Sequence, residues 1–154
     1  MLNVFVFQIV LTIFAPQETK GMNIYTSYFA RGKTLKAHNV KMVSIALYPP
    51  TNVKCIAMPS LAPTHSILYD KYRTDDRYTH RYKSEVLQKL DPQKVLADLV
   101  AIAQGSDIAL CCYEKPGDFC HRHIVAEWLK ENTGVEIEEY GQSKNVPVVE
   151  QTLF

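Results

Sequence analysis

Apolar residues recur along this chain with two different periods, and the switch between them lays out its elements. Ile108-Ala109-Leu110-Cys111-Cys112-Tyr113 is apolar or small at every position. Ile108, Leu110 and Cys112 on one side and Ala109, Cys111 and Tyr113 on the other therefore both face protein, as in an inner strand of a parallel sheet. Glu114 to Asp118 is polar and turns at Pro116-Gly117. From Phe119 the period becomes helical, with Ile124, Val125, Trp128 and Leu129 on one stripe and His123, Glu127 and Lys130 opposite. Asp118 is the expected N-cap, its carboxylate accepting from the N–H groups of Cys120 and His121.

The same patterns organise the rest. Asn23 to Phe29 alternates as a first strand closed by Arg31-Gly32-Lys33, Lys41 to Leu47 is a second strand stopped by Tyr48-Pro49-Pro50, and Lys54 to Met58 is a short third. Pro59 to His65 reads as loop, and Ser66 to Tyr72 as either helix or coil. A helix is predicted from about Tyr78 to Leu90, burying Tyr82, Val86 and Leu87. Asp91-Pro92 opens another, with Val95, Leu96, Leu99, Val100 and Ile102 on its core face until Gly105. Asn132-Thr133-Gly134 ends the Cys120 helix, and Val135 to Glu138 alternates as an outer strand. Strands and helices in this order predict a single α/β domain, a Rossmann-like three-layer sandwich with a mainly parallel sheet and a ligand at the carboxyl ends of the strands.

That domain spans residues 22–141. Before it, Leu2 to Ala15 is almost wholly apolar, but it is short for a bilayer span and has no preceding basic residue. No small-residue cleavage site follows, so residues 1–21 are expected to be an extension outside the core, with Met22 as the start and no membrane partner. Residues 142–154 form a tail. Its Gln151, Leu153 and Phe154 resemble the peptides by which replication proteins dock on the bacterial sliding clamp, though the usual spacing has one more residue. Leu153 and Phe154 folding back on the sheet is the alternative.

The 154 residues are 47% hydrophobic and 21% charged with a net charge of +1, which fits one soluble domain and argues against a basic nucleic-acid surface overall. Four cysteines, two of them adjacent, form no spaced disulfide framework, so a reducing cytoplasm is expected. Gly32 stands alone, without a phosphate-cradling glycine motif. Between Asp70 and Lys83, tyrosines 69, 72, 78 and 82 interleave with Arg73, Arg77 and Arg81. That pattern suits base stacking and phosphate neutralisation, but the blander reading, a solvated loop leading into a helix whose tyrosines pack on the core, is preferred.

The candidate chemistry sits at the polar turn. A thiol at a helix N-terminus has its thiolate favoured by the dipole, which makes Cys120 the expected reactive cysteine, and Cys112 can face it across the loop. Arg122 opposes the dipole and so calls for an anionic partner: Glu114, Asp118, or a bound phosphate or carboxylate. A cysteine-phosphatase loop is excluded, because its cysteine would fall at Pro116.

Cys112-Tyr113-Glu114, the Pro116-Gly117-Asp118 turn and Cys120-His121-Arg122 resemble the signature of the domain-of-unknown-function 488 family of small α/β proteins. The resemblance runs from about Asn23 to Tyr140 and takes in Ile24-Tyr25-Thr26, Leu61-Ala62-Pro63, Glu85-Val86-Leu87 and Leu90-Asp91-Pro92. Many relatives carry Asp-Val-Arg where this chain has Ile45-Ala46-Leu47, so no acid or arginine role carries over there. The family implies a fold and a motif but no established reaction, and it leaves the cofactor unspecified.

Three function classes follow. The first is an enzyme or binding domain for a phosphate-bearing ligand, a nucleotide or nucleic acid, in which Arg122 and the helix N-terminus hold the anion. Cys120, His121 or Glu114 would then do the chemistry, with Cys112, Tyr25 and Thr26 as further ligand contacts. The second is a metal site from Cys112, Cys120 and His121, whose spacing matches no zinc knuckle. The third is a non-catalytic interaction module in which the turn is a structural knot.

Overall fold

The computed structural model describes residues 21–142. Residues 1–20 and the tail bearing Gln151, Leu153 and Phe154 lie outside the described residues. Five strands, β1 (Ile24–Tyr28), β2 (Lys41–Ser44), β3 (Ile56–Ala57), β4 (Ile108–Cys112) and β5 (Ile137–Glu139), form one sheet in the order β3-β2-β4-β1-β5. Every pairing is parallel. The helices are α1 (Gly32–Ala37), α2 (His65–Leu68), α3 (Asp75–Glu85), α4 (Pro92–Ala103) and α5 (His121–Thr133).

β4 lies between β1 and β2, and all five of its residues are buried, as two apolar faces require. One face, with Ile24, Val43, Ile108 and Leu110, packs on Tyr78 and Tyr82 of α3, Val95 and Leu99 of α4, and Ile124, Val125 and Leu129 of α5. The other, with Met42, Ala109 and Cys111, packs on Phe29, Val40 and Leu35 of α1. The α/β sandwich is thus unequal, three long helices covering one side and a short one the other. Among the described residues no helix is long and apolar enough to cross a membrane.

Local chemistry sets the boundaries, sometimes against expectation. The Asp91 carboxylate accepts from Gln93 N–H at 2.9 Å and Lys94 N–H at 3.4 Å, with Pro92 in the first turn, as predicted. Thr74 caps α3 by accepting from Arg77 N–H, so this helix begins three residues before Tyr78. It stops at Glu85, and a 3-10 turn, Leu87–Lys89, replaces its predicted last turn while still burying Leu87. β2 ends early because Ala46 N–H turns back to Ser44 Oγ at 3.4 Å.

The cap of α5 is the main correction. Asp118 does not cap it: Asp118 N–H donates to the Lys115 carbonyl within the turn, and Cys120, extended at φ −151°, ψ 140°, is the N-cap. Gly117 at φ +93° bends the intervening loop in a way that L side chains resist. The first helical residue is therefore His121, and Cys120 stands at the mouth of the helix rather than inside it.

Candidate functional site

Cys112 ends the central strand, Cys120 caps α5 and His121 opens it, and the turn folds these three together. Their Sγ, Sγ and Nδ1 atoms all lie within 4.8 Å of one another, and all three residues are buried. His121 Nδ1 is 3.9 Å from Cys112 Sγ and 4.0 Å from Cys120 Sγ. Its other nitrogen, Nε2, is 2.8 Å from the Ile45 carbonyl. A carbonyl only accepts, so Nε2 carries a hydrogen and Nδ1 is the nitrogen that faces the two sulfurs. Tyr82 fixes the ring edge-on at 5.3 Å, and its own hydroxyl donates to the Leu61 carbonyl at 2.5 Å.

The two thiols are driven apart in acidity. The Cys112 thiol as hydrogen-bond donor, aided by His121, holds Cys120 well below the usual thiol range despite burial. The same contact, added to desolvation, pushes Cys112 far above it. Cys111, on the opposite face of β4, is pushed up to about 12 by burial, and burial also raises Cys55. Among the four cysteines only Cys120 is shifted towards thiolate.

Arg122 is fully buried. Its Nε donates to Glu139 Oε2 at 3.2 Å, its Nη2 to Oε1 at 3.4 Å, and its Nη1 to the Glu114 carbonyl at 2.7 Å. Thr26 Oγ1 completes the knot, donating to Glu139 Oε2 at 2.6 Å. The anionic partner demanded by Arg122 is thus Glu139, not the side chain of Glu114 or Asp118. Glu114 Oε2 is buried without a hydrogen-bond partner.

A cavity of about 80 Å³ opens onto the pair of cysteines, with His121 and Glu114 in its lining and walls from Tyr48, Tyr78 and Phe119. Arg73 lies at its edge, the guanidinium 4.9 Å from the Tyr78 ring centre and 6.0 Å from that of Phe119. Arg77 and Arg81 are spent elsewhere, on Asp70 at 2.6 and 3.1 Å and, for Arg81, on Glu85.

The family model described as "Active DUF488-N3 subclade" (DUF488-N3a) matches residues 26–133. The chain belongs to the DUF488 family. No curated protein and no solved structure matches it.

In this DUF488 protein the fold brings Cys112, Glu114, Cys120 and His121 to one cavity. Thr26 and Arg122 are held in the adjoining knot, and Tyr25 lies on the other side of β1, edge-on to Tyr140 at 5.2 Å. Among the described residues, Cys112, Cys120 and His121 form the group that could hold a metal ion. Three contributors escaped sequence reasoning. Glu139 is masked by the alternating run before it, the Ile45 carbonyl is a backbone group with no sequence signal, and Arg73 looks like any of three neighbouring arginines. The tyrosine-rich stretch divides, with Tyr78 and Tyr82 in the core and Tyr69 and Tyr72 exposed.

Proposed function

We propose that this DUF488 protein is an enzyme of the reducing cytoplasm that acts on a small phosphate-bearing ligand through a nucleophilic Cys120. The observation that carries the reading is the close set of Cys112, Cys120 and His121 lining an aromatic-walled cavity. Cys120, favoured as thiolate, attacks the electrophilic centre. His121 Nδ1 and the unpartnered Glu114 carboxylate oxygen are placed to take and return protons.

Arg122 is fully buried with Nε and Nη2 directed to Glu139 and Nη1 to the Glu114 carbonyl, so the anion contact passes to Arg73 and the N–H groups opening α5. Arg122 is a positioning residue that holds the Glu114 carbonyl. A cavity of about 80 Å³ takes a phosphate-sized group, leaving the remainder of the ligand against the rings at the edge. The free thiols suit a reducing compartment, and the word "Active" in the family description agrees with a site equipped for chemistry.

The test is protection. Inorganic phosphate or a nucleoside monophosphate should slow alkylation of Cys120 by iodoacetamide and raise the melting temperature. Unprotected alkylation at millimolar ligand rejects the reading.

A second reading, a zinc ion on Cys112, Cys120 and His121, is favoured by the Nε2 bond to the Ile45 carbonyl, the outer contact that metal-bound histidines commonly make. Tetrahedral zinc places sulfur and nitrogen ligands about 3.6 Å apart, close to the separations seen. Stoichiometric zinc in the purified protein, lost on Cys112→Ser, decides for it.

A further inference from the structure

We propose that Cys112 and Cys120 form a reversible disulfide when a hydroperoxide enters the cavity, so that the site carries its own oxidative off-state. The inference rests on the reading of Cys120 as a nucleophilic thiol. Both sulfurs line one small cavity, and they lie within 4.8 Å of each other. A disulfide needs about 2.05 Å, so the two residues must draw together, and the fold allows it. Cys112 is the last residue of β4 and Cys120 is an extended N-cap rather than a helical residue. The segment joining them contains no helix or strand and turns at Gly117.

The competing thiols are elsewhere. Cys55 and Cys111 share an apolar cluster with the pair, but neither lines the cavity nor belongs to the close group that Cys112 and Cys120 form with His121. The two partners also differ in position. Cys120, on the extended cap, is the attacking sulfur, and Cys112, fixed at the end of β4, is the resolving one. His121 Nδ1, in reach of both sulfurs, is the acceptor for the Cys112 proton.

In the first step the Cys120 thiolate attacks one oxygen of hydrogen peroxide. An S–O bond forms, the O–O bond breaks, and the departing hydroxide takes a proton from solvent. In the second, Cys112 gives its proton to His121 Nδ1 and its sulfur attacks Cys120 Sγ. The S–S bond forms, the S–O bond breaks, and hydroxide leaves with the proton from His121 as water. Two thiols are oxidised to one disulfide, and the peroxide oxygens are reduced to two waters.

The test treats the reduced full chain with equimolar hydrogen peroxide, blocks remaining thiols and maps the peptides. The expected product is a linked Cys112–Cys120 pair about 2 Da lighter than the dithiol, with iodoacetamide labelling of Cys120 lost and then restored by dithiothreitol. Cys112→Ser should instead give Cys120 carrying added oxygen, and Cys120→Ser should leave Cys112 a free thiol. Wild-type protein in which Cys120 gains oxygen while Cys112 stays free, or a link to Cys55 or Cys111, overturns the proposal. Alkylation of Cys120 without any linkage defeats this inference alone. A Cys120 that neither alkylates nor oxidises defeats the nucleophile reading with it.

Discussion

Arg122 and Glu139 meet inside the protein, 17 positions apart in sequence, with Nε to Oε2 at 3.2 Å and both side chains almost wholly out of water. α5 thereby clasps the edge strand β5, and through Nη1 the same guanidinium holds the Glu114 carbonyl of the cavity loop.

Removing one member leaves the other charge buried and alone. Glu139→Ala should therefore cost about 3–5 kcal/mol in denaturant unfolding, and Arg122→Met combined with Glu139→Leu should recover much of it. A single variant with an unchanged midpoint would remove the clasp from the account.

Cys120 should be the first thiol alkylated by limiting iodoacetamide. Because its pKa is held down, the rate should vary little between about pH 6 and about pH 8. Removing the donor with Cys112→Ala should restore a steep dependence, rising up to about tenfold per pH unit. Stopped reactions mapped by peptide mass read this directly, and first modification at Cys55 contradicts it.

Asp70 ties the approach to α3. The backbone N–H of Tyr72, with Arg77 and Arg81, lowers its pKa to about 2. A depressed carboxylate stabilises the fold above its unfolded value of about 3.9, and that contribution is lost as pH falls through about 2. Urea midpoints should drop across that window in the wild type, and less steeply in Asp70→Asn.

Arg73 is exposed and makes no ion pair among the described residues. Arg73→Gln should change stability by less than about 1 kcal/mol, the scale of a surface cation–π contact. It should nevertheless abolish the melting-temperature rise produced by phosphate or a nucleoside monophosphate. Calorimetry with and without ligand separates the two effects, and a full rise in the variant excludes Arg73 as the anion contact.

The sequence makes the central strand and its helix legible because β4 is buried on both sides and α5 on one stripe, and each burial writes its own period. The Asp91-Pro92 start is legible because capping chemistry is local. What escapes is set by contacts between distant segments. Nothing near Glu139 says that it will meet Arg122, and the proline-glycine turn gives no sign that its aspartate will turn away from α5. The cysteines and histidine of the site can be picked out from their neighbours, whereas the carbonyl that orients the histidine comes from Ile45, 76 positions earlier.

That long-range support bears on any attempt to transplant the site. A segment from Ile108 to Thr133, moved into another strand–loop–helix scaffold, would carry both cysteines, the histidine and the glycine bend. It would arrive with a guanidinium that has lost Glu139 and an imidazole that has lost Ile45. The host would have to supply a buried carboxylate on a neighbouring strand edge and an outward-facing carbonyl on the other side. Without them the contact between the two thiols would travel with the segment, but the orientation of His121 and the anchoring of the Glu114 loop would not.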